Sequence, residues 1–296
     1  MIKIAKTLTI LCFALGGLGL IGGYFGDTHP AGVSLAVFRH YAVAGLLVAS
    51  FGFAVWRQSL LLVLSVVLAV HGGFNLRHQL SSPASVAGFS LMQHNLLFSN
   101  DARDLVDYAN SKAPDVITLQ EVTTLAIPQL AALRPSYPYQ VICPFAGIGG
   151  VAILSKFRFT TPQEAGCIEG LGVVSVGIDL PAGEVTVVSL HLHWPWPYRQ
   201  STQLGRLLPA LEGLKGPVFL AGDFNMVPWS HVISQFEAVT NTRVIGGMRF
   251  TKSLLAEMVQ LPIDHVFTPK GWPASAVVGP RLGSDHNSVI AQFALN

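Results

Sequence analysis

The sequence predicts an α/β domain carried behind three membrane-crossing helices, and three observations predict it. The 296 residues are 51% hydrophobic and only 11% charged, with a mean hydropathy of +0.50, whereas a soluble domain carries about 25% charged residues. That apolar excess is concentrated before about residue 76. Beyond it, short apolar runs of strand type alternate with segments of helical spacing, separated by Gly and Pro, and polar residues recur where the runs end. The remaining stretch of about 220 residues is long enough for one sizeable core.

Residues 7–25, 35–56 and 59–74 are the apolar runs, each near the ~20 residues that cross a bilayer. Lys3 and Lys6 before the first run also suit a cleaved signal peptide, but the runs that follow favour a retained anchor. Gly19 and Gly23 form a GxxxG pair, a spacing common in membrane helices whether or not it is a contact. Lys3, Lys6 and Arg57 place their ends in the cytoplasm, which puts the 26–34 loop and everything after residue 76 outside. His29, Arg39, His40, His71, Arg77 and His78 then mark the outer ends, as snorkelling interface residues or as a rim for anionic headgroups. Cys143 and Cys167, the two cysteines outside the spans, are free to pair in an oxidising compartment. The division expected is an anchor over 1–76, a polar linker over 77–86 that reaches at most about 35 Å, and a catalytic domain over 87–296, in a bacterial cytoplasmic membrane with that domain on the periplasmic side.

Along the domain, residues 88–98 read as a strand ending at Asn95, and 101–111 as a helix. The run 115–122 is a buried strand that delivers Gln120 and Glu121. A short helix is expected at 128–133, then strands at 139–143, 150–154, 173–180 and 185–192, a helix at 202–214 and a strand at 218–221. A short helix at 229–236 and two last strands, near 263–267 and 288–293, complete the reading. No repeat or low-complexity tract interrupts it.

Chemistry gathers at the strand ends. VFLAGDFNMVPWS, residues 218–230, is an apolar strand that delivers Asp223 and Asn225 as the backbone leaves the sheet. A carboxylate there can hold a metal or take a proton from water, and a carboxamide can donate to a phosphate oxygen. Read alone, both are ordinary turn residues. Asn95, Glu121, His191, Asp264, Asp285 and His286 occupy similar positions at other strand ends, and the set is harder to assign to turns.

In that order, the Asn95 of QHNLL, Glu121 of LQE, His191 of SLHLH, GDFN at 222–225, IDHVF at 263–267 and SDH at 284–286 resemble the motif series of the endonuclease/exonuclease/phosphatase superfamily. This superfamily includes pancreatic-type DNases, apurinic endonucleases, inositol polyphosphate phosphatases and neutral sphingomyelinases. With its PWS continuation and apolar N-terminus, the chain is similar to a membrane-tethered bacterial subgroup. The resemblance implies a four-layer α/β sandwich, two mixed sheets face to face with helices outside, and metal-dependent hydrolysis of a phosphoester, with magnesium (or manganese) as cofactor. It implies Glu121 as the main metal ligand with Asn95 and Asp285 nearby, and His191, Asp223, Asn225, Asp264 and His286 as catalytic. Asp264 would orient His286; His286 and Asp223 compete as the base; His191 and Asn225 would donate to the phosphoryl oxygens. His193 shares the parity of His191, and the family pattern favours His191.

Substrate class is less explicit. Residues 77–296 carry fourteen Lys or Arg against fifteen Asp or Glu, with no basic face of the kind that grips a nucleic-acid backbone; Arg243, Arg249 and Lys252 read as a solvated loop. Trp194, Trp196 and Tyr198 in HWPWPY form either a loop core or a rim that enters headgroups, or a platform for a sugar or base. A phospholipid or other membrane phosphoester is the leading expected substrate. A tethered nuclease acting on nucleic acid and a non-catalytic scaffold are the alternatives.

Overall fold

A computed structural model describes residues 2–76, 88–160 and 166–294; the 77–86 linker, with Arg77 and His78, lies outside the described residues. The N-terminal quarter folds into four helices, α1 (Ile2–Gly22), α2 (Pro30–Val37), α3 (Arg39–Val55) and α4 (Ser59–Leu76). α1 and α4 are long and apolar enough to cross a membrane, and α2 with α3 makes a third candidate if the bent pair counts as one span. A 64° bend between these two helices falls within the span expected over 35–56. His29 caps α2, its Nδ1 accepting from the Ala31 N–H at 3.1 Å.

Small residues let the helices touch. A Cβ at Gly16 would stand 2.9 Å from the Ala42 carbonyl, so the α1–α3 approach depends on the missing side chain. Ser50 and Ser65 hydrogen-bond at 2.7 Å between α3 and α4. Arg39 is not the snorkelling residue expected. Buried at the bend, it donates to the Gly23 carbonyl at 3.1 Å and lies 4.3 Å from the centre of the Tyr24 ring, joining the start of α3 to the end of α1.

The rest of the chain runs β1 (Phe89–Asn95), α5 (Arg103–Lys112), β2 (Val116–Val122), α6 (Ile127–Ala132), β3 (Tyr139–Ala146), β4 (Gly149–Ser155), β5 (Val173–Leu180), β6 (Gly183–His191), α7 (Gln200–Glu212), β7 (Val218–Asp223), α8 (His231–Val239), β8 (Thr242–Val244), β9 (Lys252–Leu254), β10 (Val259–Leu261), β11 (Asp264–Pro269), β12 (Ala274–Val278) and β13 (Val289–Phe293). One sheet has the order β12-β13-β1-β2-β4-β3 and the other β5-β6-β7-β11-β8, with β9 and β10 a separate ribbon. Each large sheet contains one parallel pair, β1 with β2 and β6 with β7. The strands β8, β9, β10 and β12 are absent from the sequence reading; three of them are only three residues long, too short for a periodicity to register.

Alternation along the strands builds the layers. Phe89, Leu91, Val151, Val187, Phe219 and Val266 point between the sheets into one core. On the far side of the first sheet, Met92, Ile117 and Leu119 pack with Leu105 and Leu130 of α5 and α6; on the far side of the second, Val188, Leu190 and Leu220 pack with Leu207 of α7 and Phe236 of α8. The result is the two-sheet sandwich flanked by helices. Cys143 of β3 is bonded to Cys167, which ties the first sheet to the segment entering β5.

The apolar helices do not hang from the sandwich by the linker alone. Val33 and Val37 of α2 enter the same core as α7 and α8. Ser34 donates to the Trp196 carbonyl at 2.6 Å, Trp229 Nε1 to the Ala36 carbonyl at 2.8 Å, and the Gln260 N–H to the Tyr41 hydroxyl at 2.7 Å. At the centre of the sandwich, the fully buried Phe219 meets Phe293 at 4.5 Å between ring centres and Phe89 and Trp272 at 5.6 Å. Phe219→Ala is expected to lower the unfolding free energy by about 3–5 kcal/mol, measured by chemical denaturation of the purified protein.

Candidate active site

The polar strand ends converge on one edge of the sandwich. Asn95 ends β1, His191 ends β6, Asp223 ends β7, and Asp264 opens β11 directly opposite Asp223 in the antiparallel register. Glu121 is thrown out of the β2 ladder by a register shift between Leu119 and Val122, with its backbone at φ 57°. Such a conformation is costly for a residue with a Cβ and collects at functional sites. Gly149 makes room for it, since a Cβ there would lie 2.7 Å from the Glu121 backbone. Asn225 also sits at positive φ, 47°, where the turn carries it back under the end of β6.

Asn95 is the hinge of the acidic groups. Its Nδ2 donates to Glu121 Oε1 and to Asp223 Oδ2, both at 3.0 Å, while its Oδ1 accepts from the Leu97 N–H at 3.0 Å. Glu121 Oε2 accepts from the Phe98 N–H at 2.8 Å, and Asp223 Oδ1 from the Asn225 N–H at 2.8 Å. Asn225 Nδ2 donates to the Leu192 carbonyl at 2.7 Å, and its second hydrogen is free for the pocket. Asp223 Oδ2 lies 3.6 Å from His191 Nε2 and 3.7 Å from His286 Nε2.

Behind them runs a buried chain. His286 Nδ1 and Asp264 Oδ2 are 2.8 Å apart. Asp264 Oδ1 accepts from Gln93 Nε2 at 2.9 Å, Gln93 Nε2 also reaches Gln120 Oε1 at 2.8 Å, and Gln120 Nε2 donates to Ser189 Oγ at 3.2 Å. All of these side chains are buried. Burial alone would lower His286, but the charges of Asp264 and Asp223 and the hydrogen bond it donates to Asp264 outweigh it and lift the imidazole to about 9. Asp264 is held below the usual carboxylate range because His286 and its hydrogen bonds overcome the opposing effect of burial. Burial, helped by the nearby charge of Asp264, pushes Asp223 up, and burial pushes His191 down into its neutral form.

A small polar cavity of about 90 Å³ opens over this floor, lined by Glu121, His191, His193, Asp223, Asn225, Lys252 and His286 among others. It accommodates a group about the size of phosphate. Lys252, expected in a solvated loop, is the residue the sequence reading missed. The backbone at 251–253 pairs with that at 285–287, a bridge joins Lys252 to His286, and Lys252 Nζ contacts Asp285 Oδ2. No motif marks a three-residue strand of this kind. Arg249 is not in a solvated loop either: it is buried and donates to the Ile245 and Gly246 carbonyls. Arg243 donates to the Trp272 carbonyl.

The three aromatic residues separate. Trp194 lines the cavity, Trp196 packs edge-on to His29 at 6.5 Å on the helical side, and Tyr198 stands exposed. His193 lines the cavity above His191, its ring 4.9 Å from that of Phe145.

A family model described as endonuclease/exonuclease/phosphatase family matches residues 74–286. The chain belongs to this family. Its members are metal-dependent phosphoesterases and nucleases. Two curated UPF0294 proteins from strains of Vibrio vulnificus are 30% identical over 112 residues, covering 37% of this chain and 39% of each relative; the chain thus matches about two fifths of the length of these relatives. Similar folds include beta toxin from Staphylococcus aureus with bound magnesium ions (TM-score 0.53, 15% identity, 70% of this chain and 100% of that one). Sphingomyelinase C from Streptomyces griseocarneus (0.51, 19%, 71% and 100%) and the endonuclease domain of the TRAS1 retrotransposon (0.51, 17%, 70% and 98%) share it too.

The donor set fits the divalent metal typical of the family. Glu121 offers hard oxygens at the cavity wall, and Asp285 Oδ1 is buried without a hydrogen-bond partner, while Asn95 lies buried behind Glu121 with its Nδ2 toward the carboxylates and its Oδ1 on the Leu97 N–H. Ligand atoms of Asp223, Asp264 and His286 also lie within 4.8 Å of one another, but Asp264 has both oxygens committed to Gln93 and His286, so these three form a hydrogen-bonded chain rather than a second cage. Gln93→Leu removes the donor to Asp264 at nearly constant volume and strands two buried acceptors. The expected cost is about 1–3 kcal/mol of stability, read from denaturant unfolding beside the wild type.

Proposed function

We propose that the protein is a membrane-anchored, divalent-metal-dependent phosphoester hydrolase, with magnesium as its metal, that acts on a phospholipid or another membrane-associated phosphoester. The observation that carries this reading is where the apolar helices meet the sandwich. Ser34 and Ala36 contact Trp196 and Trp229, which lie in the loops leaving His191 and Asp223, and Tyr41 contacts Gln260, just before Asp264. The edge bearing the site is therefore the edge set against α2 and the start of α3, the bent pair that makes one candidate span. A site held in that way meets lipid before it meets bulk solute. The Cys143–Cys167 bond suits a periplasmic sandwich, and the balance of fourteen Lys or Arg against fifteen Asp or Glu in residues 77–296 argues against a nucleic-acid strand as substrate.

In this reading Glu121, with Asn95 and Asp285, holds the cation, which when bound supplies positive charge to the phosphoryl oxygens as a Lewis acid. His286 donates its Nδ1–H to Asp264 at 2.8 Å and lies between two carboxylates that favour its protonated form, with Nε2 3.7 Å from Asp223 Oδ2, so Asp223 rather than His286 takes the proton from the attacking water. His286 offers its Nε2–H to the phosphoryl group. The free hydrogen of Asn225 and the neutral His191 donate to the same oxygens as charge builds on them, and Lys252 adds a cation at the rim. Asp264 and Gln93 act through His286 by fixing the ring.

Turnover of short-chain phospholipids that requires magnesium and stops on chelation is the expected result. Robust cleavage of plasmid DNA without lipid turnover would transfer the reading to a tethered nuclease. Asp223→Asn is expected to lower kcat/KM by about 10²–10⁴-fold, while magnesium affinity, followed by calorimetry, stays within a few fold of wild type.

A further inference from the structure

Beside the catalytic cavity lies a second opening, and its chemistry differs. It has a volume of about 310 Å³ and runs between the turn after β2 and the β3–β4 turn, with walls that include Val122, Ile127, Ile142, Pro144 and Phe145. No Asp, Glu, Lys, Arg or His lines it. The two openings share a wall. Glu121 faces the catalytic cavity while Val122 and Gly149 line the groove, and Ile148 of the same turn borders the cavity. Phe145 packs against the rings of His191 and His193 from the groove side.

Apolar side chains stand in solvent on its wall at Ile127 and beside it at Leu125 and Ile148, next in the chain to Thr124 and Gly147, and at Phe98, whose carbonyl accepts from Thr123. Phe98, whose N–H holds Glu121 Oε2, is 50% exposed; Leu125 is 57%, Ile127 41% and Ile148 37% exposed. Such residues cost nothing when scattered, but gathered around one groove at the mouth of a site they mark a place where apolar matter is received. A nucleic-acid strand leaving the cavity on this side would find no cation for its next phosphate.

Resting on the phosphoesterase reading above, we propose that this groove binds the hydrocarbon chain of an amphiphilic phosphoester whose phosphate occupies the catalytic cavity. Its volume takes roughly ten methylene-sized groups at about 30 Å³ each. Chain length, rather than headgroup alone, then sets how well a substrate is held, because each methylene moved from water into the groove strengthens binding by about fourfold.

The test uses the full chain in lipid nanodiscs with magnesium. Binding of ethyl phosphate and octyl phosphate is compared by calorimetry, and turnover of 4-nitrophenyl ethyl phosphate and 4-nitrophenyl octyl phosphate by absorbance. Octyl phosphate is expected to bind at least about 50-fold more tightly than ethyl phosphate. Gly147→Glu, at a groove position where a Cβ would meet no atom within 4 Å, and Ile127→Gln are expected to cut that ratio tenfold or more. Equal affinity of the two phosphates, or a ratio that neither variant changes, overturns the groove. Turnover of both esters with no dependence on chain length overturns it and leaves the phosphoesterase reading intact. Chain-length-dependent binding without any turnover upholds the groove and removes the hydrolase reading.

Discussion

The hydrogen bond from His286 to Asp264 is the point on which the structure turns. It is buried, and it is the outer end of a chain that continues through Gln93 and Gln120 to Ser189. Asp264 and Ser189 belong to one sheet, Gln93 and Gln120 to the other. The same atoms that orient the imidazole therefore fix the separation and registry of the two sheets beneath the site. Below this polar seam the core is apolar and tolerant of any compatible packing. At the seam each donor has a specific acceptor, and a shift of one sheet would leave charges unpaired in a place water does not reach.

The second constraint is mechanical. Helices that are candidates for crossing a bilayer join the sandwich through α2, whose Val33 and Val37 share a core with α7 and α8. The bend after Val37 turns the chain from that contact into α3, and the buried Arg39 pins the corner to the end of α1. Orientation of the site thus depends on packed side chains as well as on the length of a linker.

Much of this was legible from the residues. The sandwich follows from strands of strong alternation, and Asn95, Glu121, His191, Asp223 and Asn225 at or after strand ends meet Asp264 and His286 at or before strand starts on the same edge. What escaped did so for physical reasons. Lys252 belongs to a three-residue strand with no pattern of its own, and only its backbone bridge to His286 brings it into the site. The bend at Phe38 falls inside an apolar run that carries no proline at that point, so hydropathy sees one span. The aromatic residues of HWPWPY look equivalent in sequence, yet the backbone sends them to three different surroundings. The choice between Asp223 and His286 as proton acceptor depends on which groups surround the imidazole, and that information exists only after folding.

The place of α2 also bears on how the protein can be handled as a molecule. A fragment starting after Leu76 would keep every motif and both sheets, yet it would uncover the patch on α7, α8 and β10 that Val33, Val37 and Tyr41 now shield. Trp229 and the Trp196 loop would lose their partners at the same time. The apolar helices therefore cover part of the sandwich's own core. A soluble version would need new polar residues on that face, not simply a later first residue.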